Sequence, residues 1–221
     1  MTRIELDRPL FLGQQRESVN ATDIEIRPLT SADAGPYRDI RLVALENKPE
    51  AFDSTFESEI AQPLTWFCDR LNSSQVFGAF RSTELLGIAG FVRHESDKAA
   101  HKGLLWGMYV RPDARKAGVG RRLVEAVIEF ARQRVEVIQL AVVADSTRAR
   151  RLYARLGFLE YGIERNSLKQ GGRYYDVVLM AMDLAPHLCA AHASRSERRS
   201  VFGDYGSSGG WFGAEGQSHR S

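Results

Sequence analysis

Residues Gly103 to Arg132 read GLLWGMYVRPDARKAGVGRRLVEAVIEFAR, and the pattern changes partway along. Leu104 to Val110 is a short run of bulky apolar residues, of strand length. Pro112 closes it, because proline has no N–H to give a ladder. Beyond Arg115, Gly118 and Gly120, apolar residues recur at Leu123, Val124, Val127, Ile128 and Ala131, which is one face of a helix. The unit is strand, basic glycine-containing loop, helix. Such a unit binds anions: the first N–H groups of the helix are unpaired, its dipole is positive there, and glycines allow close approach. Arg111, Arg115, Lys116, Arg121 and Arg122 crowd the loop, although basic residues at a helix start oppose the dipole. That cost points to a phosphorylated ligand.

The loop excludes two common phosphate sites. A mononucleotide P-loop needs Gly-x-x-x-x-Gly-Lys-Ser/Thr, which does not occur. A dinucleotide fingerprint needs a third glycine, but Gly118-x-Gly120 is followed by Arg121, Arg122 and Leu123. What stands here is Arg-x-x-Gly-x-Gly, at Arg115, Gly118 and Gly120. Further on, Asp145 to Phe158 reads DSTRARRLYARLGF. Ala149, Leu152, Tyr153 and Leu156 fall on one helical face, and Gly157 is placed to end that helix. The two strings, in this order, resemble the acyl-CoA signature and the second motif of the GCN5-related N-acetyltransferase (GNAT) superfamily. The likeness extends from Asp23 to Leu184. One departure is that Ser146 replaces the family's capping asparagine.

The resemblance implies an α+β fold with α/β character: a mixed central sheet of about six or seven strands flanked by about four helices. The two central strands, Leu104–Val110 and Val137–Val143, would splay in a V and free backbone groups for the cofactor. Acetyl-CoA would be the cosubstrate, with no metal. The implied cofactor set is Met108, Tyr109 and Val110, the loop Arg115, Lys116, Ala117, Gly118, Val119, Gly120 and Arg121, then Ser146 and Tyr153. Met108 and Val110 would act through the main chain, and Arg115 to Gly120 would cradle the pyrophosphate. Tyr153 would protonate the departing thiolate. The reaction would be direct attack of a small molecule's primary amine in a ternary complex. The alternatives are a protein lysine or N-terminal amine as acceptor, or a non-catalytic acyl-CoA sensor.

Elsewhere the chain supplies the remaining elements. Asp23 to Leu29 alternates like a first strand. Thr30, Ser31 and Asp33 signal a helix start, and that helix runs to Asn47 before Pro49. Ala51 to Pro63 reads as loop and a short helical piece, and Leu64 to Leu71 as helix. Gln75–Arg81 and Glu84–Glu95 read as strands, the second interrupted by Gly87 and Gly90, which suggest a bulge or a close backbone contact. Val137–Val143 is nearly continuous in apolar residues, as for a strand buried on both faces. Strands from Phe158 to Arg165 and from Arg173 to Leu184 end the domain.

With 221 residues, 43% hydrophobic and 26% charged, the chain has room for one domain with extensions. The reading is an N-terminal extension over residues 1–22, a domain over 23–184 and a flexible tail over 185–221. The tail's six glycines and seven serines are a linker composition, and His187, His192 and His219 fit no metal spacing. A net charge of +2 is too small to argue for nucleic acid. No apolar run reaches the ~20 residues of a membrane span, and MTRIELDRPL carries both charge signs, unlike a secretory signal. Cys68 and Cys189 lack metal-ligand spacing, and Cys68 reads as a free thiol. The expectation is therefore a cytoplasmic protein acting on a small amine, with no nucleic acid or membrane partner and room for a homodimer. The amine must lose a proton, and Glu46, Glu57, Glu59, Glu84 and Asp176 are candidate bases. Glu57 is preferred because FDSTFESE sets acidic residues beside Phe52 and Phe56.

Overall fold

The computed structural model describes residues 23–185. The extension and the tail expected at the two ends lie outside these, apart from Ala185, and so do Cys189 and the three tail histidines. Among the described residues seven strands form one sheet in the order β1-β2-β3-β4-β5-β7-β6. They are β1 (Ile24–Pro28), β2 (Gln75–Arg81), β3 (Glu84–Arg93), β4 (Lys102–Val110), β5 (Val137–Val143), β6 (Leu159–Gln170) and β7 (Arg173–Asp183). Neighbours are antiparallel except the central pair β4 and β5, which are parallel.

Helices cover the sheet on two sides, and each side has its own core. On one side α4 (Val119–Arg132) buries Val119, Leu123, Val124, Val127, Ile128 and Ala131, the face expected from its period. Each of the valine, leucine and isoleucine side chains contributes about 1.5–3 kcal/mol when removed from water. Alongside, α5 (Thr147–Arg155) buries Tyr153, and Ala149, Leu152 and Leu156 pack partly buried on the same core. On the other side α1 (Ala34–Asn47), the single turn α2 (Phe56–Ile60) and α3 (Leu64–Ser73) enclose a second core around Tyr37, Leu71, Phe80, Ile88 and Tyr109. Phe67 joins it, edge-on to Tyr37 and Trp66.

The splay of β4 from β5 positions the site, and its cause is local. The two strands pair only where Lys102, Gly103 and Leu104 face Val137, Ile138 and Gln139. Between the pairs Ile88–Tyr109 and Gly90–Trp106, β4 carries one residue more than β3, which is a bulge. Gly107 sits in it with φ of 63°, a left-handed geometry that a Cβ would strain. The bulge turns β4 away from β5. The expectation that β5 is buried on both faces holds for Ile138 to Leu140 and for Val143, but Ala141, paired with Leu179 of β7 and left without a partner on β4, is exposed.

Other departures have equally local causes. Gly90 answers a close contact, since a Cβ there would fall 2.5 Å from the Trp106 ring. Strand β6 runs past Arg165 to Gln170 through a second irregularity between Glu164 and Leu168, where polar residues break the alternation. Asn166 takes φ of 53° there, and its N–H donates to Asp176 Oδ1 at 2.9 Å.

Candidate active site

The loop between β4 and α4 is shaped by two left-handed residues, Lys116 (φ 71°) and Gly118 (φ 79°). Its first helical hydrogen bond runs from Arg122 N–H to Gly118 O at 3.1 Å. The amides of Val119, Gly120 and Arg121 precede that bond and have no helical partner. A Cβ placed on Gly118 would meet nothing within 4 Å, so the amides open onto free space. Gly120 has the opposite environment: a Cβ there would lie 2.8 Å from Met108 Cε and 3.5 Å from Leu152 Cδ2. Its lack of a side chain lets α4 close on β4 and α5, which brings three separately read segments together.

Hydrogen-bond parity decides which β4 groups face the open edge. Arg111 N–H donates to Leu86 O on β3 at 2.9 Å, so the amide of Val110 is turned the other way, and that of Met108 with it. Tyr109 does not share this exposure, contrary to expectation. Its carbonyl faces β3, 2.8 Å from where a Gly87 Cβ would stand, and its ring lies in the α1–α3 core. The Val110 carbonyl accepts from Arg115 Nε at 2.9 Å, so Arg115 clasps the loop to the strand end with one nitrogen.

The basic cluster is partly neutralised. Arg111 pairs with Glu84 at 3.0 Å, and Arg121 with Glu125 at 2.7 Å. Ala117 is half-buried and Val119 buried, so Val119 can offer the loop only its amide. The free amides, the clear space at Gly118 and the remaining charge of Arg115 and Lys116 suit a phosphate-bearing group.

Tyr153 is 6% exposed and lies edge-on to Phe158, ring centroids 5.8 Å apart. Burial alone pushes its phenol well above the usual value, so the hydroxyl keeps its proton at neutral pH. Ser146 stands at the N-cap of α5, but its side chain makes no capping bond. With ψ of 56° the residue departs from the extended geometry in which a cap oxygen reaches the first turn.

The five candidate carboxylates separate cleanly. Glu57, exposed on α2, lines a cavity of about 400 Å³ together with Glu46, Glu50 and Asp53. Phe52, Phe56, Ser167, Leu168, Lys169 and Gln170 complete much of its wall. The cavity lies between the end of α1 and the β6–β7 hairpin, and the turn Pro49–Ala51 beside it packs on β5 and β6. Glu84 and Asp176 are engaged elsewhere, with Arg111 and Asn166. Glu59, one of the candidate bases, is withdrawn from solvent. It is 2% exposed and bound to Arg41, a pairing of residues 18 apart in sequence that no local pattern signals. Among the described residues no group of three His, Cys, Asp or Glu converges to hold a metal, and no helix is long and apolar enough to cross a membrane.

The chain matches the model of the Acetyltransferase (GNAT) family over residues 39–158. It is 28% identical to an L-methionine sulfoximine/L-methionine sulfone acetyltransferase from Pseudomonas aeruginosa over 131 residues, 58% of this chain and 76% of that protein. It is 25% identical to a phosphinothricin N-acetyltransferase from Streptomyces coelicolor, over 70% of this chain and 93% of the other. Among solved structures, an acetyltransferase from Salmonella typhimurium with its cofactor acetyl-CoA superposes with a TM-score of 0.64 at 23% identity, covering 74% of this chain and 95% of its own. A GNAT acetyltransferase from Streptococcus pneumoniae gives 0.66 at 22% identity, over 73% and 99%. With the splayed strands, the glycine loop and the family match together, the chain belongs to the acetyltransferase (GNAT) family and is an acetyl-CoA-dependent acetyltransferase.

Proposed function

We propose that the protein acetylates the primary amine of a small molecule, which attacks directly in a ternary complex. The carrying observation is the cavity between the end of α1, α2 and β6, whose bordering turn Pro49–Ala51 packs on β5. Its volume of about 400 Å³ is within the usual range for small ligands. Its wall holds Glu46, Glu50, Asp53 and Glu57 against Lys169, a balance that favours a group arriving as an ammonium. The relatives named for methionine sulfoximine and phosphinothricin support a small acceptor.

Acetyl-CoA supplies the activated acyl group and a thiolate that leaves with the electron pair of the broken bond. The chain's own residues hold and protonate. The amides of Val119, Gly120 and Arg121, with Arg115 and Lys116, bind the pyrophosphate. The main chains of Met108 and Val110 take the pantetheine amides along the open edge of β4. Ala117 and Gly118 shape the loop without offering side chains, and we give Ser146 and Tyr109 no cofactor contact. Tyr153, whose phenol is protonated at neutral pH, gives its proton to the thiolate. A primary amine of pKa ~10.4 costs roughly 4–5 kcal/mol to neutralise at pH 7. Glu57, on the cavity wall, receives that proton through water.

A second reading makes the acceptor a protein N-terminus. It rests on 34% identity over 82 residues with a ribosomal protein bS18-alanine N-acetyltransferase from Salmonella typhimurium, over 37% of this chain and 55% of that protein. Thiol release from acetyl-CoA against a panel of small amines and alanine-initiated peptides tests both. Release with small amines is the expected result. Release with peptides alone selects the second reading, and no release with either overturns both.

A further inference from the structure

A depression of about 360 Å³ lies at the end of α4 remote from the glycine loop. Two connections form its wall: Arg93, Ala100 and His101 come from the β3–β4 hairpin, and Arg132, Arg134 and Glu136 from the passage between α4 and β5. It shares no residue with the acceptor cavity. The 14 residues of α4 span about 20 Å, which separates the depression from the loop amides.

Three guanidinium groups border it, and their free N–H groups are held in place. Arg93 Nε donates to Ala100 O at 2.6 Å, which fixes the side chain across the hairpin. Both of its Nη groups have no partner among the described residues. Arg134 Nη1 donates to Phe130 O at 2.8 Å, and its guanidinium carbon sits 3.6 Å from the Phe130 ring centroid, so Nη2 is left over. Arg132 meets a carboxylate only loosely, with Glu129 at 3.9 Å from its Nε and both side chains more than half exposed. Glu136 is the one carboxylate in the wall among the described residues. The C-terminal end of α4 adds about half a negative charge. Three guanidinium groups exceed these two together, even with Glu136 counted in full. Burial, and after it the positive charge of Lys102 and His101, holds the imidazole of His94 beside Arg93 below its usual value. Positive charge thus extends beyond the wall itself.

The place in the fold gives the depression a mechanical setting. The N–H groups of Glu136 and Val137 donate to His101 O at 2.8 and 3.1 Å, which ties the two connections together where β4 and β5 begin. From there the strands pair from Lys102 to Leu104 and then part. The depression straddles the closed end of the V.

We propose that this depression binds a phosphate group carried by a small molecule, gripped by Arg93 and Arg132 with Arg134 beside them. A planar guanidinium offers two parallel N–H groups, the arrangement that takes a phosphate bidentately. The volume leaves room for the molecule that bears the phosphate. Bound there, the anion bridges the hairpin to the α4–β5 passage and stabilises the end from which the strands diverge. The site is independent of the acceptor and of its identity.

Thermal unfolding of the full chain, with acetyl-CoA saturating its own site, tests the proposal with inorganic phosphate and with glucose 6-phosphate. Sodium chloride keeps the ionic strength constant throughout. Both compounds should raise the Tm along a saturating curve, by about 3–5 °C at tenfold over the apparent Kd. A larger shift with glucose 6-phosphate at equal concentration shows that the carrier is held as well, and equal shifts show that the phosphate alone is read. Arg132→Gln changes an exposed side chain and leaves the hairpin bond intact, and it should weaken the apparent Kd about tenfold. Arg93→Gln/Arg132→Gln should abolish the shift. Stabilisation by acetyl-CoA checks that each variant is folded. A wild-type Tm that ignores both compounds overturns the proposal. A shift that folded variants keep at wild-type affinity overturns it too, because the phosphate then sits elsewhere.

Discussion

Two regions face each other across the splay and are built on different plans. The β4–α4 loop is a backbone device: left-handed residues at 116 and 118 aim amides outward, and Gly120 packs on Met108. The α1–α3 side is a side-chain device, in which Arg41 on α1, Glu59 on α2 and Arg70 on α3 meet in one buried array. On the proposed function the contrast follows from what each region recognises. Pyrophosphate is the same in every acyl-CoA, and amides with glycines suffice for it. An acceptor differs from enzyme to enzyme, and only side chains can distinguish one from another.

Tyr153 lies on the α4–α5 side, and the largest effect is expected there. Tyr153→Phe keeps the ring against Phe158 and deletes the proton donor. Loss of general acid should lower kcat by about 10²–10⁴-fold, or about 3–5 kcal/mol in the barrier, with acetyl-CoA affinity nearly unchanged. Steady-state kinetics decide it. A variant with wild-type turnover would return Tyr153 to the role of a packing residue.

On the acceptor side the comparable change acts on stability. Glu59→Gln leaves Arg41 buried without its counter-charge and should cost about 3 kcal/mol in urea unfolding. Stabilisation of the folded variant by acetyl-CoA should survive, because the array lies across the sheet from the α4 loop. If that stabilisation disappears as well, the two regions are not separable and the contrast fails.

Gly118→Asp is the converse experiment. It puts a carboxylate and a strained φ where the loop amides open. Acetyl-CoA at a hundredfold excess over Kd should add about 2.7 kcal/mol to the wild type and nothing to the variant. Retained stabilisation in a thermal shift would remove the loop from the cofactor site.

The same contrast explains what could be read from the residues alone. A loop of regular spacing beside a helix of regular period is local, and the Arg115–Gly120 turn and the buried face of α4 were legible for that reason. The strand order and the splay came through the resemblance to a family. What was not legible is non-local. Glu57 and Glu59 stand two residues apart on one short helix, yet one lines a cavity and the other is buried against Arg41 and Arg70 from two other helices. Nothing within FDSTFESE distinguishes them. The bulge at Gly107 was equally hidden, since its neighbours spell an unbroken strand. Ser146 and Tyr109 fitted by residue type, and the residues alone did not show that Ser146 makes no capping bond or that the Tyr109 carbonyl turns toward β3.

The smallest effect concerns the entrance to α1, at the edge of the acceptor side. Asp33 accepts from Arg27 Nη1 at 3.0 Å and Nη2 at 2.8 Å, and from the Thr30 N–H at 2.9 Å. Chiefly through the Arg27 hydrogen bonds, its pKa is held down to about 2. A depressed carboxylate stabilises the fold at pH above its unfolded value near ~3.9, and that contribution fades as pH falls through the folded value. Arg27 is 37% exposed, so solvent weakens the pair and about 1 kcal/mol is the reasonable expectation. Between pH 5 and pH 2 the wild type should therefore lose about 1 kcal/mol more unfolding free energy in urea than Asp33→Asn, which has no proton to gain there. Equal losses would show that the turn from Thr30 to Asp33 contributes nothing to anchoring α1. The acceptor side would then hold its place through the buried array of Arg41, Glu59 and Arg70 alone.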